Sequence, residues 1–516
     1  MKKYVVPAGW SVVTIMDITS SFGGGTPSKI DPLYWTEGNV PWVSPKDMKS
    51  FLVSSSEDSV TIKALEKLTL ISKNSVLLVV RSGILTRTLP VSINQVPVTI
   101  NQDMRAFLPA RGINARYLAL QLISREREIL DQCSKNGTTV ASIEGPSLAA
   151  FPLSLAPSAE QDRIVEKLED ILSDCDAGVA ELKAAQRKLV QYRQSLLKAA
   201  VEGALTADWR AARAQSGEPQ ETGAELLQRI LNERRAHWEA KQLSKFAEQG
   251  KAPPRDWKAK YPEPAAHVGT KPSNLPNGWT WATVDQISVA QNYGSSAKTN
   301  EDGTGIPVLR MGNIQEGELD LGKLKFLPQD HGEFPELFLE DGDILFNRTN
   351  SPELVGKTAV FRSEITPCSY ASYLIKVRLS NHCSPELVSA YINSVFGRHW
   401  VKTVVTQQVG QANVNGSKLA ALAVPLPPTD EQVEIARILV EQKKASFRHE
   451  AMVNRSLRQS TAQRKNILKA AFAGQLVPQD PNDEPASMLL ECIRSERVAA
   501  DAKRKSKTAR KTKERT

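Results

Sequence analysis

The 516 residues are 41% hydrophobic and 24% charged, an ordinary balance for globular domains with apolar cores. No run of about 18 apolar residues occurs, and the five cysteines form no CxxC pair, so membrane-spanning helices, structural zinc and a disulfide framework are not expected and we predict a cytoplasmic protein. Of the net charge of +9, +7 falls in residues 502–516, so the charge alone does not indicate nucleic-acid binding.

The first predicted domain covers residues 1–157. It opens with VPAGW from Val6, and its strand-like run at Asn74–Val80 and helical stretch near Arg116–Leu130 predict a mixed α/β fold. Arginine can pair with guanine, and asparagine or glutamine with adenine, in the major groove of DNA. Its loops contain such side chains, although a solvated loop would explain each one singly: Lys46, Arg81, Arg87, Asn101, Gln102, Lys135, Asn136 and Thr138.

Residues 158–249 are predicted to form a long helix followed by a short helix near Ala224–Ala240. The helix would start at a capping box formed by Ser158 and Gln161. Apolar residues then recur with heptad spacing, which is typical of a helix that packs against another helix. One row comprises Leu168, Cys175, Leu182, Leu189 and Leu196, and no proline interrupts the stretch.

A Pro- and Lys-rich linker, residues 250–274, leads to a second predicted domain at 275–428. Strand-like runs occur at Gly342–Asn347, Thr358–Phe361 and Tyr373–Arg378, and a helical stretch at Pro385–Trp400. The amide-rich run TQQVGQANVNG from Thr406 is poor core material. The candidate base-reading side chains here are Arg310, Asn313, Arg348, Asn350, Gln407, Gln408, Gln411 and Asn413.

Residues 429–501 are predicted to contain a second long helix, with a capping box at Thr429 and Gln432, and another short helix. Its heptad positions are more polar than those of the first. We expect the two long helices to pack on each other in antiparallel fashion; two separate surface helices remain the alternative. Residues 502–516 are predicted to be a disordered basic tail, because eight of them are Lys or Arg.

The chain repeats itself, with six collinear matches at shifts of 263 to 271 residues. Examples are VPAGW with LPNGW, SLLKAA with NILKAA, and LLQRILNER with LLECIRSER. Two copies of this length indicate a tandem duplication rather than a solenoid. The predicted fold class is therefore α+β: two similar mixed α/β domains joined by two long, antiparallel coiled-coil helices with pseudo-two-fold symmetry.

No dinucleotide-binding glycine loop, HExxH, amino-methylating motif or persuasive nuclease cluster is found. The motifs LPNGW (275–279), DGDILFNRTN (341–350), PLPPTDEQVEIA (425–436) and ILKAAFAGQL (467–476), with their first-copy partners, resemble the specificity subunits of type I restriction–modification systems. The first copy departs from DGDILFNRTN, which puts residue-by-residue transfer of contacts to it in doubt.

The resemblance implies a non-catalytic subunit that reads a bipartite DNA site with two target-recognition domains. The helices would set the spacer and dock two methyltransferase subunits, which restriction subunits then join. S-adenosylmethionine, ATP and Mg²⁺ would belong to those partners, and this chain would bind no cofactor or metal. The alternatives are a methyltransferase or nuclease whose catalytic motifs are unrecognised, and a coiled-coil scaffold without a role in DNA recognition.

Overall fold

The computed structural model describes residues 6–135, 140–217, 221–265, 275–408 and 411–513. The chain forms two compact units, Met1–Lys183 with Asn454–Thr516 (unit 1) and Ala184–Val453 (unit 2). We call residues 6–157 of unit 1 lobe 1 and residues 275–428 of unit 2 lobe 2. The first long helix, Ser158–Val201, and the second long helix, Thr429–Ala471, each contribute residues to both units.

Lobe 1 is built on two sheets. In the larger sheet the strand order is Thr19–Gly23, Met104–Pro109, Val76–Val79, Val91–Asn94 and Leu52–Val53. In the smaller sheet Val40–Val43 pairs antiparallel with Asp58–Val60 and parallel with Thr99–Ile100. Two further antiparallel pairs join Ser11–Thr14 with Pro152–Leu155 and Ser134–Lys135 with Ser142–Ile143.

Lobe 2 repeats this topology. Its larger sheet has the order Ser288–Tyr293, Leu374–Leu379, Ile344–Asn347 and Thr358–Val360. Ile306–Leu309 pairs antiparallel with Lys325–Leu327 and parallel with Ser369–Tyr370. The remaining pairs join Thr280–Thr283 with Ala423–Leu426, Ile314–Gln315 with Glu318–Leu319, and Gln411–Asn413 with both Thr349–Asn350 and Thr406–Gln408. The predicted duplication of the fold is confirmed.

Short helices flank the sheets. Those of lobe 1 are Ile15–Ile18, Ala115–Ser124, Glu126–Cys133 and Gly145–Ala149, with 3₁₀ turns at Pro32–Tyr34, Pro45–Asp47, Ile62–Glu66 and Gly83–Thr86. Those of unit 2 are Ala207–Gln215, Gly223–Glu248, Val284–Ile287, Pro385–Asn393, Val395–Val404 and Gly416–Ala420, with 3₁₀ turns at Ala204–Thr206, Trp257–Lys260 and Met311–Asn313. None of the helices within the described ranges is long and apolar enough to cross a membrane.

The central strands hold the cores. All four residues of Val76–Val79 and of Ile344–Asn347 are buried, because elements cover both faces of these strands. Around Val76–Val79 the core of lobe 1 includes Phe107, Leu118 and Leu153. The polar loops at the strand ends lie outside these cores.

Within each unit the long helices run antiparallel, as predicted. In unit 1, Leu168 and Leu172 share an apolar cluster with Leu468, and Asp176 forms an ion pair with Arg464 further along. The numbers rise along one helix as they fall along the other, which defines an antiparallel pair.

Unit 2 shows the same arrangement at the other ends of the helices. Leu196 shares a cluster with Leu439, and the Arg193 guanidinium lies 2.7 Å from the Glu450 carboxylate. The predicted heptad residues Cys175, Leu182 and Leu189 are half-buried.

Equivalent buried glutamines attach each lobe to the start of its long helix. Gln161 Nε2 donates to Ala156 O at 2.9 Å, and its Oε1 accepts from Asn114 N at 2.9 Å. Gln432 Nε2 donates to Pro427 O at 2.9 Å, and its Oε1 accepts from Ser384 N at 2.7 Å. The predicted role of these glutamines in capping boxes is therefore wrong, because their amides hold the loop before a lobe helix instead.

Each lobe packs against a helix from the other copy of the repeat: lobe 2 against the helix that follows the first long helix, and lobe 1 against the helix that follows the second. The first distal helix, Gly223–Glu248, belongs to unit 2, and the second distal helix, Ala486–Lys513, belongs to unit 1. Gly223 N donates to Gly278 O at 2.6 Å and Ala486 N to Gly9 O at 2.8 Å, so the two helices dock on equivalent Gly-Trp motifs.

The second distal helix continues through 502–513, where a disordered tail was predicted. That prediction considered charge repulsion alone. Alanine, lysine and arginine are strong helix formers, and this stretch contains no glycine or proline to end the helix.

Arginines at the same repeat position fix both distal helices, and their removal should loosen only the contacted lobe. Arg497 donates to Met16 O at 2.7 Å and Thr19 O at 3.0 Å, while Arg234 donates to the carbonyls of Asp285 and Ser288. Because each bond satisfies a carbonyl at a helix end, we expect R497A to speed amide exchange in Ile15–Ile18 about tenfold.

The matched variant R234A should speed exchange in Val284–Ile287 instead, measured by hydrogen–deuterium exchange mass spectrometry. Acceleration of both segments by either variant would contradict this assignment of one arginine to each lobe.

Candidate nucleic-acid interface

In lobe 1 the candidate side chains come from loops at one edge of the sheets. Val40–Val43 and Thr99–Ile100 are parallel neighbours, so the loops after them emerge together, with Asn101 N donating to Val43 O at 2.9 Å. Arg81 N donates to Asp103 O at 3.2 Å, which adds the loop after a third strand. Lys46, Arg81 and Gln102, all exposed, are thereby brought to this edge.

A short hairpin adjoins this edge. Arg81 bridges to Ser142, and Ser82 N donates to Ala141 O at 3.1 Å, so the strands Ser134–Lys135 and Ser142–Ile143 lie beside Arg81. Lys135 is exposed and its ammonium lies 2.9 Å from the Glu144 carboxylate. Because Lys135 donates a hydrogen bond to it, the pKa of Glu144 is lowered. Asn136 and Thr138 lie outside the described residues.

Two lobe 1 candidates are placed differently from the others. Asn101 is 6% exposed, and its amide is bonded to Asp103 on both sides, so it shapes the loop and is not free to read a base. Arg87 follows the 3₁₀ turn Gly83–Thr86 and is exposed.

Lobe 2 builds the equivalent edge. Ala371 N donates to Leu309 O at 2.9 Å, and Arg348 N donates to Tyr373 O at 3.0 Å, so the loops that carry Arg310 and Arg348 meet at residues 371–373. Val414 N donates to Arg348 O at 2.9 Å, which joins the amide-rich hairpin to the same edge. The structure therefore brings Arg310, Arg348 and Asn350 together with the strands Thr406–Gln408 and Gln411–Asn413.

The Arg348 side chain is held by an aromatic ring and a backbone carbonyl. Its guanidinium lies 4.8 Å above the Tyr293 ring, and its Nη1 donates to Ser372 O at 3.3 Å. Tyr293 is itself fixed, because its hydroxyl accepts a hydrogen bond of 2.8 Å from Gly416 N. A planar guanidinium held against an aromatic ring is preorganised for a bidentate acceptor such as the edge of guanine.

The amide candidates in lobe 2 divide into two groups. Asn313 is 4% exposed, with its Oδ1 accepting from Arg310 N and its Nδ2 donating to Asp320 O, so it holds the loop and is not a free reader. Asn350 Oδ1 accepts from Ser351 N. Asn413 Oδ1 is buried and has no hydrogen-bond partner among the described residues. The side chains of Gln407, Gln408 and Gln411 lie outside the description.

Two tyrosines at this edge were not predicted from the sequence. Tyr293 is 46% exposed and Tyr373 is 49% exposed, and both are adjacent to Arg348 by the contacts above. The sequence predicted a strand-like run at Tyr373–Arg378 but none at Ser288–Tyr293. A tyrosine at the last position of a strand that ends in glycine, as in Tyr293–Gly294, is the signal that could have indicated an exposed aromatic platform.

These edges carry no metal-binding cluster within the described residues, and two cysteines of lobe 2 are buried. Within the described ranges there is no group of three or more His, Cys, Asp or Glu side chains that could hold a metal ion. Burial raises the pKa of both Cys368 and Cys383 to about 12, so these thiols stay protonated at neutral pH. The arrangement offers hydrogen bonds, cations and aromatic rings, which are the chemistry of recognition.

A family model for the type I restriction modification DNA specificity domain matches residues 7–185 and again residues 276–447. The chain belongs to this family. The first specificity domain covers lobe 1 with the beginning of the first long helix, and the second covers lobe 2 with the beginning of the second long helix. The two matches fall on the two copies of the repeat.

Known members are similar to the chain over different lengths. The EcoR124I/EcoR124II specificity subunit of Escherichia coli is 39% identical over 36% of this chain, but the match spans about half (47%) of that protein. The StySPI specificity subunit of Salmonella potsdam is 22% identical, over 98% of this chain and 99% of that protein.

A solved chain from a type I restriction–modification system, described with its complex assembly and conformational transition, has a TM-score of 0.60 at 14% identity. The match covers 92% of this chain and 100% of the solved chain. At this identity the likeness shows a shared fold and nothing finer.

Proposed function

We propose that the protein is the DNA sequence-specificity subunit of a type I restriction–modification complex. Each lobe would read one half of a bipartite site. The observation that carries this proposal is the pair of equivalent lobe edges, each with an exposed or aromatic-backed arginine, Arg81 or Arg348, beside a short polar hairpin.

The helices would serve as a ruler and a docking platform. Two readers must lie about one turn of DNA apart, roughly 34–36 Å, to face the same side of the double helix. A helix of 44 residues extends about 66 Å at 1.5 Å per residue, long enough to set such a spacing. Two methyltransferase subunits and then restriction subunits would assemble on the chain in the cytoplasm.

The chemistry would belong to those partners. S-adenosylmethionine would bind the methyltransferase subunits, and ATP and Mg²⁺ the restriction subunits, while this chain binds no cofactor. We expect the purified chain, given S-adenosylmethionine and Mg²⁺, neither to methylate nor to cut DNA. Methyl transfer by the chain alone would instead favour an enzyme with unrecognised motifs.

Methylome sequencing tests the proposed function directly. In cells that lack the gene, one two-part motif with an unread spacer should lose its methylation completely, and a plasmid-borne copy should restore it. If every methylated motif persists in the deletion strain, the chain is not a specificity determinant in that cell.

A domain exchange tests the modular arrangement of the readers. Replacing residues 275–428 with the corresponding domain of another family member should change one half of the methylated motif and leave the other half intact. The paired Ala423–Leu426 and Thr280–Thr283 strands keep both ends of lobe 2 together, which makes this exchange structurally permissible. A change in both halves would contradict independent reading.

A further inference from the structure

In unit 2 a β-hairpin, Ile314–Leu319, extends from lobe 2 to both long helices. The Glu316 carboxylate lies 2.9 Å from Arg193 Nη2 on the first long helix. The Glu318 carboxylate forms an ion pair with Lys443 on the second long helix. One small element of the lobe thus contacts the two helices through two charge pairs.

The hairpin turn is shaped for this contact. Glu316 and Gly317 have φ values of 50° and 82°, so both central residues adopt the left-handed conformation of a tight two-residue turn. Lys443 Nζ also donates to Gly317 O at 3.4 Å. The φ of 82° at Gly317 is one that other residues rarely adopt, while a Cβ there would meet only van der Waals contact, with the Asn393 amide nitrogen at 3.4 Å.

Arg193 is held in place before the hairpin reaches it. Its side chain is 9% exposed, its guanidinium lies 4.9 Å from the Phe447 ring, and its Nη1 donates to Glu450 at 2.7 Å. A cation fixed by a ring and a second carboxylate loses little further freedom when Glu316 binds. Arg193 Nη2 is buried and makes no hydrogen bond among the described residues, so its contact with Glu316 is a charge pair to a cation already held in place.

The hairpin adds a polar attachment beside the apolar cluster that joins the lobe to the helices. The cluster that joins lobe 2 to the second long helix includes Ile435 and Leu439. The hairpin's partners, Lys443 and Arg193, extend this attachment, because they lie four residues beyond Leu439 and three before Leu196, about 6 and 4.5 Å along their helices at 1.5 Å per residue. A lobe attached by its apolar cluster alone can pivot, whereas charge pairs to both helices beyond that cluster restrict its angle.

The equivalent positions in unit 1 use different chemistry. At the repeat shift of 271, Arg464 corresponds to Arg193, and it pairs with Asp176 of the other long helix. Leu172 corresponds to Lys443 and is 7% exposed in an apolar cluster against which Phe51 packs. The ionic second attachment is thus a feature of lobe 2, where unit 1 has apolar packing.

We propose that the hairpin Ile314–Leu319 sets the angle of lobe 2 on the helices and thereby enforces discrimination between spacer lengths. Arg193 and Lys443 are its positioning residues. This inference rests on the proposed function, since it specifies how the same complex rejects sites whose two halves are one base pair too close or too far apart. The bases read by lobe 2 are set elsewhere.

The test measures methylation by the reconstituted complex of this chain with its methyltransferase subunits. The substrates are duplexes with the native spacer and with spacers one base pair shorter and longer. We expect E316Q/E318Q to reduce the preference for the native spacer at least about fivefold, as expected for loss of two charge pairs. The motif read by lobe 2 should be unchanged.

The control is E301Q, which removes another lobe 2 ion pair, that of Glu301 with Lys325 at 2.6 Å, without touching the helices. The charge reversal K443E should widen spacer tolerance, and K443E/E318K should restore it. Equal spacer preference in wild type, E316Q/E318Q and K443E, with lobe 2 folded by hydrogen exchange, would overturn the inference. If the wild-type complex itself methylates no bipartite site, the proposed function fails instead.

Discussion

Replacing Arg348 with alanine should relax recognition at one base pair in the half-site read by lobe 2, with a loss of about 10- to 100-fold in methylation of the cognate site. A bidentate arginine–guanine contact contributes about 1–3 kcal/mol of discrimination. Arg348 is fixed by Tyr293 and Ser372 before DNA arrives, so little entropy is lost on binding. Methylation rates on duplexes carrying single base substitutions measure the effect.

The equivalent variant R81A should act on the other half of the site. Arg81 occupies the same repeat position, at the end of the strand Val76–Val79 and beside the hairpin of lobe 1. The matched control is R362A, because Arg362 pairs with Asp341 at the opposite end of the strand that leads to Arg348. A uniform loss on every sequence would mean that Arg348 contacts phosphate instead of a base edge.

Two variants of Tyr293 test whether its ring positions the Arg348 guanidinium. Y293F keeps the ring under the guanidinium and loses only the hydroxyl that accepts from Gly416 N, so specificity should persist. Y293L removes the ring, and about 0.5–2 kcal/mol of cation–π attraction with it. We expect Y293L, but not Y293F, to reproduce part of the R348A defect.

The duplicated architecture was predictable because the same short motifs recur in the same order in both halves of the sequence. The Gly-Trp pairs, the strands that end at Val79 and Asn347, and the helices that begin near Ser158 and Thr429 all recur in register. Trp10 and Trp279, in the repeated Gly-Trp pairs, are both buried, at 7% and 8% exposed. Local periodicity and repeat order are sufficient for such features, since no distant contact is needed to recognise them.

The roles of individual loop residues were not predictable in the same way. Asn313 and Asn350 are chemically identical candidates, yet Asn313 is used to bind Asp320 O and Lys323 O within its own loop. Asn101 is likewise bonded to Asp103. Which amide remains available depends on backbone groups brought near by folding, and residue type does not encode that.

The sequence also did not predict that each distal helix packs on the lobe of the other copy. The match of LLQRILNER with LLECIRSER shows that Arg234 and Arg497 are equivalent, but not which lobe each helix contacts. Connectivity alone favours packing on the preceding lobe. The structure pairs Arg497 with Met16 O, nearly the whole chain apart, because the antiparallel long helices bring each copy's end into the unit of the other copy's lobe.

The carboxylates that accept from the two repeated tryptophans should respond differently to substitution by glutamine. We expect E431Q to destabilise its unit and E160Q not to. Trp279 Nε1 donates to Glu431 at 2.8 Å, and Trp10 Nε1 donates to Glu160 at 2.9 Å, with both carboxylates 1% exposed. Glu431 also accepts from Thr206 Oγ1 at 2.6 Å and forms an ion pair with Arg210. E431Q leaves that buried pair broken and should destabilise unit 2 by about 2–4 kcal/mol.

Glu160 lacks a matching cation. Its Oε1 is buried with no hydrogen-bond partner among the described residues, and the nearby Arg163 is bound to Asp483 at 2.5 Å. Burial raises the pKa of Glu160, only partly offset by the Trp10 hydrogen bond and Arg163. A raised carboxyl pKa means that stability is complete below the unfolded pKa of about 4.3 and declines as pH rises through the folded pKa.

At neutral pH, therefore, the Glu160 charge opposes folding, and E160Q should leave unit 1 equally stable or more stable by up to about 1 kcal/mol. A glutamine still accepts from Trp10, and the decline of unit 1 stability above about pH 4.3 should flatten. Native-state hydrogen exchange of the slowest amides reports each unit separately, with the exposed Glu166→Gln as the charge-matched control. An equal loss of stability from E160Q and E431Q would contradict this prediction, because only Glu431 has an arginine partner, Arg210.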